Sequence, residues 1–412
     1  MSTTGSEPRD GDRIAHAPEN DKAAEAAPSG SSGLVGNVLL ILSSMLLTLV
    51  GAELFLRTFP QFQIQTSDGE YRYCTENRIR HRPHVAFGYT EVPGSSYFER
   101  YSPADPWYYI HVNEEGFRDN YETNGRPVIV LGDSSTRGSL VNEDETFANL
   151  MDKWHPEWSF RNYGAGGYGQ ANAIRIYEEK APSAPHDLVI QQYSLANDLD
   201  DNVERAVLDG DSVKITVRPA TGKPKEALGP LVRIHQFFWQ HSKVYPWLYN
   251  VTVRSYAENW DARRNIDGSI EITRRLLAKL AEEARANRAD LLLLVLPSWA
   301  EMAGRHDGME PMRQREMLEA FALATPNVYL LDMTSVLATE DPDKTYGVLD
   351  KHMTAYGHFL VAQALERWMV TDWPHGPRKA APERIFQPPA PVIPDCSQAD
   401  AYLALASSPA TH

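Results

Sequence analysis

The chain has 412 residues, 42% of them hydrophobic, and a formal net charge of -15 at pH 7. That length supplies one large core with additions, or two domains. The acidic balance is spread along the sequence without a lysine- or arginine-rich cluster, which excludes a surface that tracks a phosphate backbone and argues against nucleic acid as a partner.

Residues 1 to 32 are rich in Ser, Gly, Pro, Ala, Glu and Asp, with Ile14 the one large aliphatic side chain, and such a tail cannot bury enough surface to fold. From Leu34 to Ala52 the chain carries no charge and is dominated by Leu, Val, Ile and Met. That is about the 20 residues a bilayer span requires, and residues 33 to 56 are predicted to form a transmembrane signal anchor. A cleaved signal peptide is the rival, because Val50-Gly51-Ala52 resembles a small-residue cleavage site. Arg13 and Lys22 before the span balance Arg57 and Arg72 after it, so charge asymmetry does not set the orientation. The two cysteines, Cys74 and Cys396, lack metal-ligand spacing and permit one disulfide between the flanks of the chain.

Residues 57 to 121 hold many turn formers and aromatics and read as a structural lead-in of short strands packed on the domain that follows. Pro127 to Leu131 is an aliphatic run that stops at Gly132, Asp133 and Ser134, the pattern of a buried central strand that turns sharply into a helix. A serine on such a turn stands clear of the sheet, and the positive end of the next helix favours an alkoxide or an adjacent oxyanion there. An ordinary glycine turn with an N-cap serine would show the same tripeptide.

A helix with Phe147, Leu150, Met151 and Trp154 on one face follows, then a strand near Trp158 to Tyr163 that ends in Asn162-Tyr-Gly-Ala-Gly-Gly-Tyr-Gly169. The glycines suit a close backbone approach, but without a Gly-Lys-Ser/Thr ending a nucleotide loop is not the reading. The next strand, Asp187 to Ser194, ends at Asn197 and Asp198. Three strand ends carrying small polar residues converge on one edge of a doubly wound parallel sheet, where such folds bind ligands.

Asp198, Asp200 and Asp201 could chelate calcium but read as a solvated helix start, so no metal or other cofactor is expected. An insertion at about 199 to 270 contains a hairpin near Val213 to Val217 and the aromatics Phe237, Phe238, Trp239, Tyr245, Trp247 and Tyr249, which read as core or a lid, with contact to a sugar or acyl chain as the alternative. Helical spacing at Leu276, Leu277, Leu280 and Ala284, the strand Leu291 to Leu296, the helix Arg313 to Ala324 and the strand Val328 to Leu331 complete an α/β alternation with a parallel sheet. His306-Asp307 falls in a polar loop and reads as bland. Asp350 and His352 precede a helix from Phe359 to Trp368, and His358 reads as a helix residue without a catalytic role. His352 is the candidate general base, and Asp350 the carboxylate that orients it. Residues 373 to 412 form a Pro-rich extension.

Gly132-Asp-Ser134, Asn162-x-Gly164, Asn197-Asp198 and the histidine near the C-terminus resemble the ordered blocks of the SGNH or GDSL hydrolases, from about Val112 to Trp368. Asn113-x-x-Gly-Phe-Arg118 and the apolar segment are similar to the membrane-attached bacterial branch of that family. The resemblance implies a three-layer α/β sandwich with a central parallel sheet, flavodoxin-like, over residues 122 to 372. It implies Ser134 as nucleophile and an oxyanion hole formed by the Ser134 N–H, the Gly164 N–H and the Asn197 amide. The family commonly separates Asp and His by two residues, whereas only Lys351 stands between Asp350 and His352 here. The expected activity is hydrolysis of acyl esters, short-chain or acetyl, outside the cytoplasm. The alternatives are an O-acyltransferase acting on an envelope polysaccharide and a non-catalytic protein that binds a glycan or partner.

Overall fold

The computed structural model describes residues 31–59, 70–74, 80–101, 105–118, 125–181, 185–218, 238, 242–249, 265–305, 310–347, 351–377 and 384–398. The chain divides into two units. In the first, helix α1 (Ser31–Thr58) carries exposed Val, Leu, Ile and Met side chains around its length. Its 24 residues from Val35 to Thr58 are long and apolar enough to cross a bilayer. The Glu53 carboxylate of α1 accepts from the Ser242 hydroxyl (2.8 Å) and from the Lys243 and Val244 N–H groups (2.8 and 3.0 Å).

The second unit opens with the lead-in strands β1 (Glu70–Tyr73), β2 (His81–His84), β3 (Gly88–Glu91), β4 (Ser96–Arg100) and β5 (Tyr108–His111). They form an antiparallel sheet in the order β1-β4-β5 and a β2-β3 hairpin. Then come β6 (Arg126–Leu131), α2 (Ser134–Arg137), α3 (Phe147–Trp154), β7 (Trp158–Asn162), α4 (Gln170–Lys180), β8 (Leu188–Ser194) and α5 (Asp198–Arg205). The hairpin expected near Val213 forms from β9 (Ala206–Asp209) and β10 (Ser212–Ile215), turning at Gly210. After it lie α6 (Ile266–Ala286), β11 (Asp290–Leu296), α7 (Glu310–Ala324), β12 (Val328–Asp332) and α8 (Ala355–Thr371).

The central sheet has five parallel strands in the order β12-β11-β8-β6-β7. Successive side chains of a strand point to opposite faces, so an unbroken aliphatic strand must be covered twice. Ile129 and Leu131 of β6 join Val189, Leu291 and Leu293 on one face, under Ile174 and Tyr177 of α4, Leu276 and Leu280 of α6 and Leu318 of α7. Val128 and Val130 join Ile190, Leu292 and Leu294 on the other, under Phe147 and Met151 of α3 and Val361 and Leu365 of α8. The result is the expected three-layer α/β sandwich. Order changes direction between β6 and β8, and the ends of these two strands carry Ser134 and Asn197 to one edge. Cys74 and Cys396 are paired in a disulfide with a Cα–Cα distance of 5.1 Å.

Candidate active site

Ser134 is the first residue of α2, a helix of a single turn. Asp133 caps it, its carboxylate accepting the Ser135 N–H at 2.8 Å, and Gly138 closes it in the left-handed region at φ 83°. The sharp turn has a steric origin at Gly132, where a Cβ would meet Thr136 Oγ1 at 2.2 Å and Gln192 Oε1 at 2.5 Å. Gln192 of β8 makes the turn rigid: its Oε1 accepts from the Asp133 N–H (3.1 Å) and the Thr136 hydroxyl (3.0 Å). Asn162, at the end of β7, donates to Thr136 O at 2.7 Å.

His352 comes from the loop before α8 and places Nε2 2.6 Å from Ser134 Oγ, within reach of a hydrogen bond from the serine hydroxyl. The loop is pinned by backbone bonds from the Gly347 N–H to His352 O (2.7 Å) and from the Lys351 N–H to Gly347 O (3.0 Å). Lys351 has φ 64°, and its ammonium lies 3.2 Å above the Trp299 ring centroid. The Tyr101 ring stands 6.0 Å from the His352 ring, centroid to centroid. Asp350 lies outside the described residues, as do His306 and Asp307.

Of the expected oxyanion donors, the Ser134 N–H makes no hydrogen bond among the described residues. Asn197, at the end of β8 and the N-cap of α5, donates to Asp201 Oδ2 at 2.7 Å. Burial pushes the Asp133 carboxyl up, opposed by the Ser135 N–H, His352 and Asn197. The Gly164 N–H donates to Asn162 Oδ1 at 2.9 Å, and a Cβ on Gly164 would meet Arg137 N at 2.4 Å, so the glycine also allows close packing against α2. Two residues further on, a Cβ on Gly166 would lie 3.9 Å from Ser134 Cβ, and Gly166 O accepts the Tyr89 hydroxyl. Tyr89 also lines a cavity of about 500 Å³ with Asn172, Arg205 and Thr216.

Asp198 does start a helix, but the expectation that it is solvated is overturned. It is 1% exposed, and its Oδ2 accepts from Gln170 Nε2 (2.7 Å) and the Ser194 N–H (3.1 Å). Burial and then the nearby Asp133 push its carboxyl well up, which favours a neutral acid. Among the described residues no group of three His, Cys, Asp or Glu side chains is placed to hold a metal ion. His358 is buried in α8, stacked on Phe147, and its Nδ1 accepts the Phe147 N–H at 3.2 Å. Phe238 and Tyr245 of the aromatic stretch meet with centroids 5.7 Å apart, while Phe237 and Trp239 fall outside the described residues.

Sequence reasoning assigned no role to Gln192, Arg118, Arg137, Glu91 and Glu99. The two arginines are each 1% exposed and surround α2 with hydrogen bonds. The available signal was a charged residue inside a glycine-rich or aromatic stretch, which is too common to single them out.

No family model matches the chain, and no curated protein matches it. Solved structures similar to it include a member of the lipolytic G-D-S-L family from Veillonella parvula, at 16% identity over 60% of this chain and 100% of that one, with a TM-score of 0.36. A lipase/acylhydrolase from Enterococcus faecalis is similar at 13% identity over 59% of this chain and 95% of that one, TM-score 0.36. A two-domain esterase active on acetylated mannans is similar at 15% identity, over 65% of this chain and 53% of that one, TM-score 0.35.

Proposed function

We propose that this chain is a serine-dependent enzyme of the SGNH type that cleaves acyl esters, with Ser134 as nucleophile and His352 as general base. The observation that carries the reading is the 2.6 Å approach of His352 Nε2 to Ser134 Oγ, between residues 218 apart in the chain. A structural histidine has no need of a serine at the first turn of a helix on the switch-point edge of the sheet.

In the proposed reaction His352 takes the Ser134 proton as Oγ attacks the ester carbonyl carbon. The developing oxyanion lies at the N-terminus of α2, where the Ser134 N–H and the aligned peptide dipoles favour it. The Gly164 N–H and the Asn197 amide are the further proposed donors, sharing their present contacts to Asn162 Oδ1 and Asp201 Oδ2 with the oxyanion. His352 then protonates the leaving alcohol, and an acyl-serine remains. In the second half His352 deprotonates the acceptor, water or a sugar hydroxyl, which attacks the acyl carbon and regenerates Ser134. Asp350 is proposed, from its place two residues before His352, to hold the imidazole tautomer.

The substrate class is a short-chain ester, including acetyl, and the acceptor choice separates esterase from O-acyltransferase. We place the catalytic unit outside the cytoplasm on a single-pass anchor. The apolar α1 supports the anchor, and the Cys74–Cys396 disulfide supports an oxidising compartment.

The test treats the full chain in detergent with a fluorophosphonate, locates the label by mass spectrometry and assays p-nitrophenyl acetate. Label on Ser134, with turnover that Ser134→Ala lacks, is the expected result. Absence of both in folded protein would overturn the enzyme reading in favour of a binding protein. Adding an oligosaccharide acceptor and weighing the products then divides hydrolysis from transfer.

A further inference from the structure

The lead-in does more than cover the sheet. Asn113 Oδ1 accepts the Glu115 and Phe117 N–H groups (2.9 and 3.0 Å), and Gly116 follows at φ 89° with no room for a Cβ against Thr90 and Glu91. This tight turn drives Arg118 into the interior. There its Nη1 donates to Gly138 O (2.5 Å) and Arg137 O (3.4 Å), its Nη2 to Val141 O (3.0 Å) and Tyr109 O (3.4 Å), and its Nε to Glu143 (2.9 Å). A helix of one turn leaves its last carbonyls unpaired, and a buried guanidinium is a donor set that can satisfy several at once.

Traffic also runs the other way. Arg137, the last residue of α2 and one turn from Ser134, sends its guanidinium into the lead-in sheet. Its Nε donates to Glu91 Oε1 (2.6 Å), its Nη1 to Glu99 Oε1 (2.9 Å) and its Nη2 to Tyr97 OH (2.8 Å). Arg80 pairs with the same two carboxylates at 3.4 and 3.8 Å, so two cations face two anions in the interior. Burial alone would raise both carboxyls, but Arg137 and Arg80 hold Glu99 below its ordinary value and Glu91 down to about 2.

We infer that Arg118 and Arg137 are positioning residues, a reciprocal clamp by which the lead-in segment fixes the one-turn helix that carries Ser134. The inference rests on the proposed role of Ser134 for its catalytic consequence, while the clamp itself is a statement about α2. A four-residue helix has too few internal bonds to hold its own place, and misplacing a nucleophile by about 1 Å can cost about 100-fold in rate.

The experiment compares the full chain with Arg118→Lys, Arg137→Lys, Glu99→Gln and the milder Tyr97→Phe. Each is scored by the fluorophosphonate rate constant, the fraction of molecules finally labelled and hydrogen exchange of the peptide covering residues 132–142. The expected result is a rate constant at least about tenfold lower for both lysine variants, with faster exchange confined to that peptide and an unchanged labelled fraction. Tyr97→Phe should fall between them and wild type. A lower labelled fraction with an unaltered rate constant would mean a role in folding alone and overturn the inference, as would unaltered exchange at 132–142. If wild type fails to label at Ser134, the nucleophile reading falls, and the exchange measurement still decides the clamp.

Discussion

Ser134 and His352 meet at 2.6 Å, and the chain delivers them to that point by different means. Ser134, the proposed nucleophile, stands on one turn of helix held from outside by Gln192, Asn162 and Arg118, all buried and drawn from three separate stretches of sequence, while the helix's own Arg137 reaches out to Glu91 and Glu99. His352, the proposed base, stands on a loop in which, among the described residues, Gly347 and His352 are bonded to each other through the backbone and Lys351 is in a left-handed conformation over Trp299. A residue fixed by long-range buried polar contacts tolerates little change around it, because each removed partner leaves another unsatisfied. A residue fixed by a local turn tolerates more. The nucleophile side should therefore be the fragile one.

The largest effect tests the chemistry that both sides serve. Ser134→Ala should lower ester turnover at least about 1000-fold while changing stability by no more than about 1 kcal/mol, read by p-nitrophenyl acetate hydrolysis and urea denaturation. Next comes the packing of the nucleophile turn. Gly164→Ala puts a methyl 2.4 Å from the Arg137 nitrogen, which α2 cannot avoid without moving, and should lower the labelling rate constant about 100-fold with a loss of about 1–3 kcal/mol. Gly166→Ala, with its nearest contact at 3.9 Å, should stay within about threefold of wild type. If the two variants behave alike, the turn is not held by the packing at Gly164.

How much of this was legible beforehand follows the same division. The strands of the parallel sheet show themselves in short runs such as Leu291 to Leu296, because burial on both faces leaves no polar alternation to confuse the pattern. Ser134 and His352 are visible because each sits in a local arrangement, an abrupt strand end and a loop before a terminal helix. The lead-in reads from sequence as a structural cover, since Glu91 and Glu99 look like ordinary acids on short strands until Arg137 comes into contact with them from 46 and 38 residues away. The burial of Asp198 is hidden from sequence for a similar reason. An acid at a helix start is commonly solvated, and here the distant Gln170 joins the nearby Ser194 N–H in satisfying it in the interior. The close packing of Gly164 on α2 is likewise invisible in sequence, because it depends on Arg137 N arriving from another stretch of chain.

A smaller effect belongs to the base side. Lys351→Gly removes the strain of a positive φ and the contact with Trp299 together, and Trp299→Leu removes the contact alone. Both should lower kcat by less than about tenfold with KM little changed. A loss as large as that of Gly164→Ala would mean that the base loop is as tightly specified as the nucleophile turn, and the contrast between the two sides would fail.

The smallest effect on activity at neutral pH is one of stability below it. His358 ties α8, which follows the base loop, to the start of α3, and burial holds its imidazole neutral with a pKa lowered from 6.5 to about 3. The unfolded chain therefore binds a proton that the folded chain refuses, so stability present above pH 6.5 is lost progressively as pH falls toward 3. On the nucleophile side Glu91, held at about 2 by Arg137 and Arg80 against an ordinary value of 4.5, contributes stability that persists above 4.5 and is lost only as pH falls from there toward 2. The two sides should thus weaken in different windows. Between pH 6.5 and 5 the denaturation free energy should drop by on the order of 2 kcal/mol through His358. In His358→Phe that part of the slope should vanish, while the loss below pH 4.5 should remain. Equal slopes in the two proteins between pH 6.5 and 5 would show that the His358 imidazole is not held neutral in the folded chain.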